Sequence, residues 1–479
     1  MNVRKNLFYN ALLAVFNVLL PLVSFPYASR ILGPEGVGMS QFALTFTQYF
    51  VIVAALGIPV YGVREVAKYR SNKIELSKLF SELFFINAIA SVSLFVVYLG
   101  LVFSVKFFAL NTPLYVFCSA NILLGFLNID WLYSGLDEFK TIAVRSMIIK
   151  LISLAALFVF VKTPHDVIYY VAALIFSIVG NQIWNTLLIK GKVKFVFRQL
   201  DFRKHLKPLF LIFSTVIAIN IYGMLDIVLL GFFSNNREVG LYSATVRIVR
   251  TIVPVITSLG TVLIPSMSIA IAQNEKNKFE GMANKFSHAI SVISIPAAMG
   301  TYIYAPEIIR LISGNAFLGA IPMMRMIAVI IVLSPFLSLY AMQVLMTSDR
   351  NKEMLISILS GTVFSIVSNI VLIPFLGGLG SAICIVATEL LIIIIAYRFV
   401  RKDFAIKIDA RTVLVSVVFS GIFFLIAYAL RKTLDRDFIV LAIGISSSIV
   451  IYFLLQIFVA RDELISGSLN RFFKSRVSS

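Results

Sequence analysis

The residues best suited to chemistry in this 479-residue sequence are charged side chains standing inside otherwise apolar stretches. Arg247 and Arg250 lie three residues apart, a spacing that puts both on one face of a helix. A guanidinium stays charged at any cellular pH, and its planar fork matches phosphate oxygens two at a time. Such a comb suits a diphosphate or an acidic sugar. Asp226 falls in the preceding apolar stretch at a comparable depth, roughly 10 Å below the outer surface at 1.5 Å per residue. Either an Asp226–Arg247 ion pair stitches two helices together, or the positive charge left over serves a wet, anion-binding cavity, since one carboxylate does not neutralise two guanidiniums.

Other isolated charges extend the set. Glu389 has no cation in its own apolar run, so it is either a titrating carboxylate able to carry a proton or a group hydrogen-bonded to a neighbouring Ser or Thr. Asp130 and Lys150, near the inner ends of consecutive stretches, are placed to pair. Arg30 and Arg325 lie near outer ends, where snorkelling to the interface accounts for them as well as cavity lining does. Arg145 is placed in the same way at the inner surface. The candidate cationic lining is therefore Arg247, Arg250, Arg30, Lys150 and Arg325, and the coupling or ion-pair carboxylates are Asp226, Glu389 and Asp130. No metal site is expected, because His165, His205 and His288 stand alone in or beside loops, where they read as solvated or interfacial. Cys118 and Cys384 sit far apart in apolar runs and imply no disulfide framework.

The elements that must hold these charges follow from composition. Apolar residues make up 59% of the chain and charged residues only 14%, with a mean hydropathy of +0.95, whereas soluble proteins carry about 25% charged residues. A soluble enzyme, a fibrous protein and a disordered chain are excluded. Runs such as 83–101 and 390–397 are uncharged and apolar without alternation, which excludes the alternating segments of a membrane β-barrel and leaves helices as the spanning element. Breaks in the apolar pattern give fourteen spans, near 7–32, 37–62, 79–104, 114–136, 142–161, 167–189, 208–233, 241–272, 286–305, 321–347, 354–376, 378–397, 412–430 and 438–459. With the N-terminus inside, 30 of the 42 Lys and Arg fall on the inner side and 8 on the outer, which places both termini in the cytoplasm. The same asymmetry explains the net charge of +19 without a nucleic-acid partner. The first span has no small-residue cleavage site after it and reads as an uncleaved anchor.

No loop between spans is long enough for a soluble catalytic domain, and the chain has neither a Gly-rich phosphate loop with its Lys nor a nucleophile constellation. Something is moved rather than made. Gly36-Val37-Gly38-Met39-Ser40 and Glu238-Val239-Gly240-Leu241-Tyr242 match at an offset of 202, and Asn72-Lys73-Ile74-Glu75 and Asn277-Lys278-Phe279-Glu280 at 205. Duplication of a six-span unit is expected: an N-terminal lobe over 1–189, a basic cytoplasmic linker over 190–207, a C-terminal lobe over 208–397, and spans 13 and 14 with a cytoplasmic tail over 398–479. An even number of spans makes the repeat parallel, with a central cavity. Prolines 21, 26, 59, 254, 265, 296 and 335 fall in or near spans, and bendable helices suit alternating access.

Several segments resemble the polysaccharide-transport (Wzx-type) flippases of the multidrug/oligosaccharidyl-lipid/polysaccharide exporter superfamily. They are Pro26-Tyr27-Ala28-Ser29-Arg30-Ile31-Leu32-Gly33-Pro34-Glu35-Gly36-Val37-Gly38, Val239-Gly240-Leu241-Tyr242-Ser243-Ala244 with Arg247, and Ala305-Pro306-Glu307-Ile308-Ile309 with Gly314. The stretch Gly260-Thr261-Val262-Leu263-Ile264-Pro265-Ser266 is similar to the related lipid II flippases. The resemblance implies an all-α fold of two six-helix lobes arranged as a V, plus two C-terminal helices. It also implies an undecaprenyl diphosphate-linked oligosaccharide as substrate, with Arg247 facing the cavity toward the diphosphate. The other cavity arginines of the lipid II branch have no match here, span 1 offering Asn17 instead, which favours a polysaccharide repeat unit. The expected setting is the bacterial cytoplasmic membrane, with a proton or sodium gradient as energy source, no cofactor, and a polysaccharide polymerase and chain-length regulator as possible neighbours. The rival readings are a drug or organic-cation antiporter of the same superfamily, a membrane glycosyltransferase or polymerase, and a structural scaffold.

Overall fold

The computed structural model describes residues 3–189 and 191–462, so Lys190 of the expected linker and the tail beyond Asp462 lie outside the described residues. Among them no strand occurs, and two compact helical units are present. The first, Met1–Gly240, contains α1 (Val3–Ala55), α2 (Ile58–Tyr69), α3 (Lys73–Ser104), α4 (Thr112–Cys118), α5 (Ala120–Leu123), α6 (Asp130–Gly135), α7 (Phe139–Phe160), α8 (Val167–Leu187) and α9 (Arg203–Phe233). Helix α10 (Asn236–Thr261) carries the chain into the second, Leu241–Ser479, with α11 (Ile264–Ala272), α12 (Lys276–Ile303), α13 (Ala305–Ile312), α14 (Ile321–Ile327), α15 (Ile330–Ser338), α16 (Asn351–Asp403), α17 (Ala410–Thr433) and α18 (Asp437–Leu455). The division by packing falls at Gly240, because α9 lies on α1 and α2 and clusters with the first unit.

Counted as uninterrupted runs among the described residues, ten helices are long and apolar enough to cross a membrane, or eleven if the bent pair Asn315–Ile327 and Ile330–Met346 is one span. The fourteen expected spans are not fourteen separate helices: two pairs of neighbours merge, and of expected span 7 only Gly223–Phe233 stands out, as a shorter apolar helix. Helix α1 covers expected spans 1 and 2, broken where Gly33 takes φ 66°, and α16 covers spans 11 and 12, broken at Gly377 with φ 54°. At 53 residues each would be about 80 Å long if straight, against a hydrocarbon core of about 30 Å. For α16 the reversal is explicit, since the Ser381 hydroxyl donates to Asn369 Oδ1 at 3.1 Å across twelve residues. Positive φ is the left-handed backbone that glycine adopts without strain.

The repeat offset of 202 reappears as geometry. Gly38 and Gly240 occupy matching positions, and each presses its bare backbone on the other's segment: a Cβ on Gly38 would stand 1.7 Å from the Asn236 carbonyl oxygen, and one on Gly240 would stand 1.9 Å from that of Pro34. Pro34 and Asn236 are themselves 202 apart. The contact is reciprocal, and only glycine fits at either place. The 205 offset fares differently. Asn72 caps α3, its side chain accepting from the Ile74 and Glu75 amides, whereas Asn277 already lies inside α12, which begins 203 residues after α3.

A second recurrent device confirms the 203 register. After α8 the chain turns back along α3, the amides of Lys194 and Val196 donating to Ser77 Oγ (3.1 Å) and Ser81 Oγ (2.8 Å), and that of Asp201 to Glu82 Oε1 (2.8 Å). After α16 the same pattern occurs on α12, with the amides of Ala405 and Lys407 donating to Glu280 Oε1 (2.9 Å) and Asn284 Oδ1 (2.8 Å). In both units alternate amides of an extended strap meet side chains one helical turn apart, and 77 and 81 become 280 and 284 at an offset of 203. Each strap also buries an apolar residue in its unit's core, Val193 in the first and Ile406 in the second.

The first strap overturns the solvated reading of one histidine, His205. His205 is buried, its Nε2 2.9 Å from Glu82 Oε2 and its Nδ1 2.8 Å from the Tyr61 hydroxyl, and Lys204 Nζ lies 2.8 Å from the same carboxylate oxygen. His288 pairs with Asp462 at 2.7 Å and meets the Thr412 hydroxyl at 3.2 Å. The linker is basic and polar in sequence, so only its folding back on α3 decides that His205 leaves water.

Candidate functional site

Each unit contains a cavity lined by an intramembrane charge. In the second unit a cavity of about 240 Å³ is lined from α10 by Val246, Val249, Arg250 and Val253, whose spacing is one helix face. Glu389 from α16 and Ser334 from α15 complete its polar lining, with the Ser334 hydroxyl 2.9 Å from both Glu389 carboxylate oxygens. Both readings of Glu389 therefore meet in one place, because it is hydrogen-bonded to serine and faces a space large enough for several waters. Pro254, one turn beyond Arg250, has no N–H to continue the helix ladder, so α10 is weakened at the turn that carries the guanidinium. Arg247 is half-buried and Arg250 exposed on the same helix.

In the first unit a smaller cavity, about 120 Å³, has a polar lining of Asn17 and Ser24 from α1, Lys150 and Ser153 from α7, and Ser177 from α8. Lys150 Nζ donates to Asn17 Oδ1. The expected Asp130–Lys150 pair is not formed. Asp130 instead accepts from Arg145 Nη2 at 2.7 Å and from Asn185 Nδ2 at 2.9 Å, while Arg145 Nε donates to Asn181 Oδ1. The cause is helical geometry, since five residues separate Arg145 from Lys150 and turn the lysine about 140° round α7. Asp226 is buried in the same unit, within electrostatic reach of Tyr49. Arg30 is exposed on α1, and Arg325 stacks on the Tyr302 ring at 5.4 Å and does not line the Arg250 cavity.

The structure thus gathers Arg250 with Glu389 and sets Lys150 apart with Asn17. Ser334 was not legible as a partner, since a serine in an apolar run has no distinguishing neighbour; the Glu82–His205–Lys204 cluster was missed because Glu82 lies 123 residues before His205. No group of three or more His, Cys, Asp and Glu able to hold a metal occurs among the described residues.

The family model described as polysaccharide biosynthesis protein matches residues 3–270, more than half of the chain. This chain belongs to that family. Its relatives include the Escherichia coli (strain K12) protein named "Putative O-antigen transporter", 23% identical over 414 residues that cover 84% of this chain and 98% of the relative, and a protein of the same name from Shigella dysenteriae at 22% identity, covering 83% of this chain and all of the relative. Among solved structures, the lipid II flippase MurJ in an inward closed conformation superposes with a TM-score of 0.77 at 17% identity, over 96% of this chain and 100% of that one. An inward-facing multidrug MATE transporter gives 0.67 at 17% identity, over 80% and 93%. At these identities the superpositions establish the fold, a polytopic all-α membrane protein, while the family model and the O-antigen relatives bear out the polysaccharide-transport resemblance read from the sequence motifs.

Proposed function

We propose that this member of the polysaccharide biosynthesis family is a flippase that carries undecaprenyl diphosphate-linked oligosaccharide across the bacterial cytoplasmic membrane by alternating access, for cell-surface polysaccharide synthesis, and that it is a transporter rather than an enzyme. The observation that carries this reading is a cavity lined by a guanidinium inside a polytopic family member whose relatives bear the name "Putative O-antigen transporter". A charge at mid-bilayer costs at least about 2.5–3.5 kcal/mol, so a wet, anion-accepting space is the economical setting for Arg247 and Arg250. The arginines hold the anionic head while the lipid tail stays in the bilayer. Both termini lie in the cytoplasm, and a proton or sodium gradient acts through Glu389 or Asp226. A polymerase and a chain-length regulator are the neighbouring proteins that would receive the product.

The test replaces both arginines with alanine in a strain lacking its own copy. Surface polysaccharide should disappear while the protein stays at normal level in the membrane, and the diphosphate glycan that co-purifies with the natural chain in mild detergent should be absent by mass spectrometry. Unchanged surface polysaccharide in R247A/R250A sinks the reading. The acidic Glu389 in the same cavity favours one alternative, a MATE-like cation antiporter, for which overexpression should raise resistance to cationic drugs.

A further inference from the structure

The strap between α8 and α9 has two faces. Its alternate amides bond α3 along one edge, so in an extended chain the side chains of Phe195 and Phe197 point one way and those of Lys194 and Arg198 the other. Phe195 packs on Phe80 (5.3 Å) and Phe84 (5.1 Å), and Phe197 on Phe85 (5.7 Å), yet the two remain 44% and 75% exposed. Two large aromatics half out of the protein surface are costly in water.

Their depth resolves the cost. Helix α3 has 32 residues, about 48 Å at 1.5 Å each, whereas about 20 residues cross the hydrocarbon core. Its C-terminal part is apolar to the end and shows exposed Ile89, Val92, Val96, Val97 and Phe103. The surplus is therefore the N-terminal part, which bears Glu75, Lys78 and Glu82, and the bilayer surface meets α3 near Phe85. Phe195 and Phe197 lie at that level, where aromatic rings collect at membrane–water boundaries. Beside them in the strap Lys194 and Arg198 are exposed, and neither forms an ion pair among the described residues, unlike Lys192 and Lys204, which are bound to Glu138 and Glu82.

We propose that this strap is an anionic-phospholipid site, its phenylalanines seated in the interface and Lys194 and Arg198 drawing negatively charged headgroups of the adjoining leaflet. The inference depends on the membrane-spanning fold and stands apart from the flippase reading. A basic cluster beside a span attracts acidic lipid by roughly fivefold for each charge near the surface, and the latch to Ser77, Ser81 and Glu82 fixes the site in place on the first unit.

The experiment places the full chain carrying Phe197→Trp in nanodiscs of equimolar phosphatidylglycerol and phosphatidylcholine, with bromine on the acyl chains of one lipid or the other. Emission is read above that of the parent chain, whose tryptophans are Trp131 and Trp184. Brominated phosphatidylglycerol should quench the new tryptophan several-fold more than brominated phosphatidylcholine, and K194Q/R198Q in the same background should make the two lipids equal. Absence of quenching by either lipid, or equal quenching before the charges are removed, overturns the proposal. Should F197W not fold, native mass spectrometry of lipids retained by the parent chain and by K194Q/R198Q decides: loss of phosphatidylglycerol alone supports the site, and identical lipid profiles overturn it.

Discussion

Arg145 is 3% exposed and its charge is met by one carboxylate, that of Asp130. Removing Asp130 leaves a buried guanidinium unpaired, a loss of about 3 kcal/mol; D130A in detergent should melt at lower temperature than the natural chain, and D130A/R145A should be less damaged than the sum of the single changes. Glu389 invites a different test. If it carries the coupling proton, E389Q should abolish polysaccharide export at unchanged protein level while E389D retains part of it; equal export by all three would leave the carboxylate a packing role with Ser334. The charges themselves were visible in the sequence, because a charge in an apolar run is conspicuous. Their partners were not, since Asp130 chooses between Arg145 and Lys150 by azimuth round α7, which hydropathy does not encode.

Among the elements, the strap latches are the most exposed to experiment. Glu82 is fully buried and serves the Asp201 amide, Lys204 and His205 together. E82A should therefore lower the melting temperature and speed amide exchange at 194, 196 and 201, by more than S81A does, because it strands several donors instead of one. Close approach at Gly38 predicts that G38A folds poorly, since an added methyl meets backbone rather than a movable side chain, a strain of at least about 1–3 kcal/mol; yield and melting temperature measure it. The loop before α8 adds a pH dependence. Amides of Lys162 and Thr163 donate to Asp166 and hold its carboxyl below the usual range. A depressed folded-state pKa stabilises the turn above the ordinary carboxylate range and loses that contribution as pH falls through the lowered value. Exchange protection at 162 and 163 should fall on acidification, and D166N should lack that dependence.

For the whole molecule, the orientation is testable on the natural background because Cys118 and Cys384 are both buried. A cysteine at Asp166 should react with an impermeant maleimide in intact cells, and one at Arg198 only after permeabilisation; the reverse pattern would invert the proposed topology. Composition and the unequal placement of Lys and Arg determined by themselves that the chain spans a membrane as helices, because burying so many apolar side chains has no other solution without strands. The offset of 202 was legible in the sequence, and the two glycines that recur at it turn out to touch. The 205 match was misleading by two residues, since a short motif fits either side of a helix start and only the helix itself shows that α12 begins at Lys276. Tertiary structure alone decided that spans 1 and 2, and 11 and 12, run together through glycine breaks, that Arg250 and Glu389 share a cavity, and that the basic linker is strapped to α3. Each of these depends on which helix face meets which neighbour, and a linear pattern of hydropathy fixes depth in the membrane without fixing rotation about the helix axis.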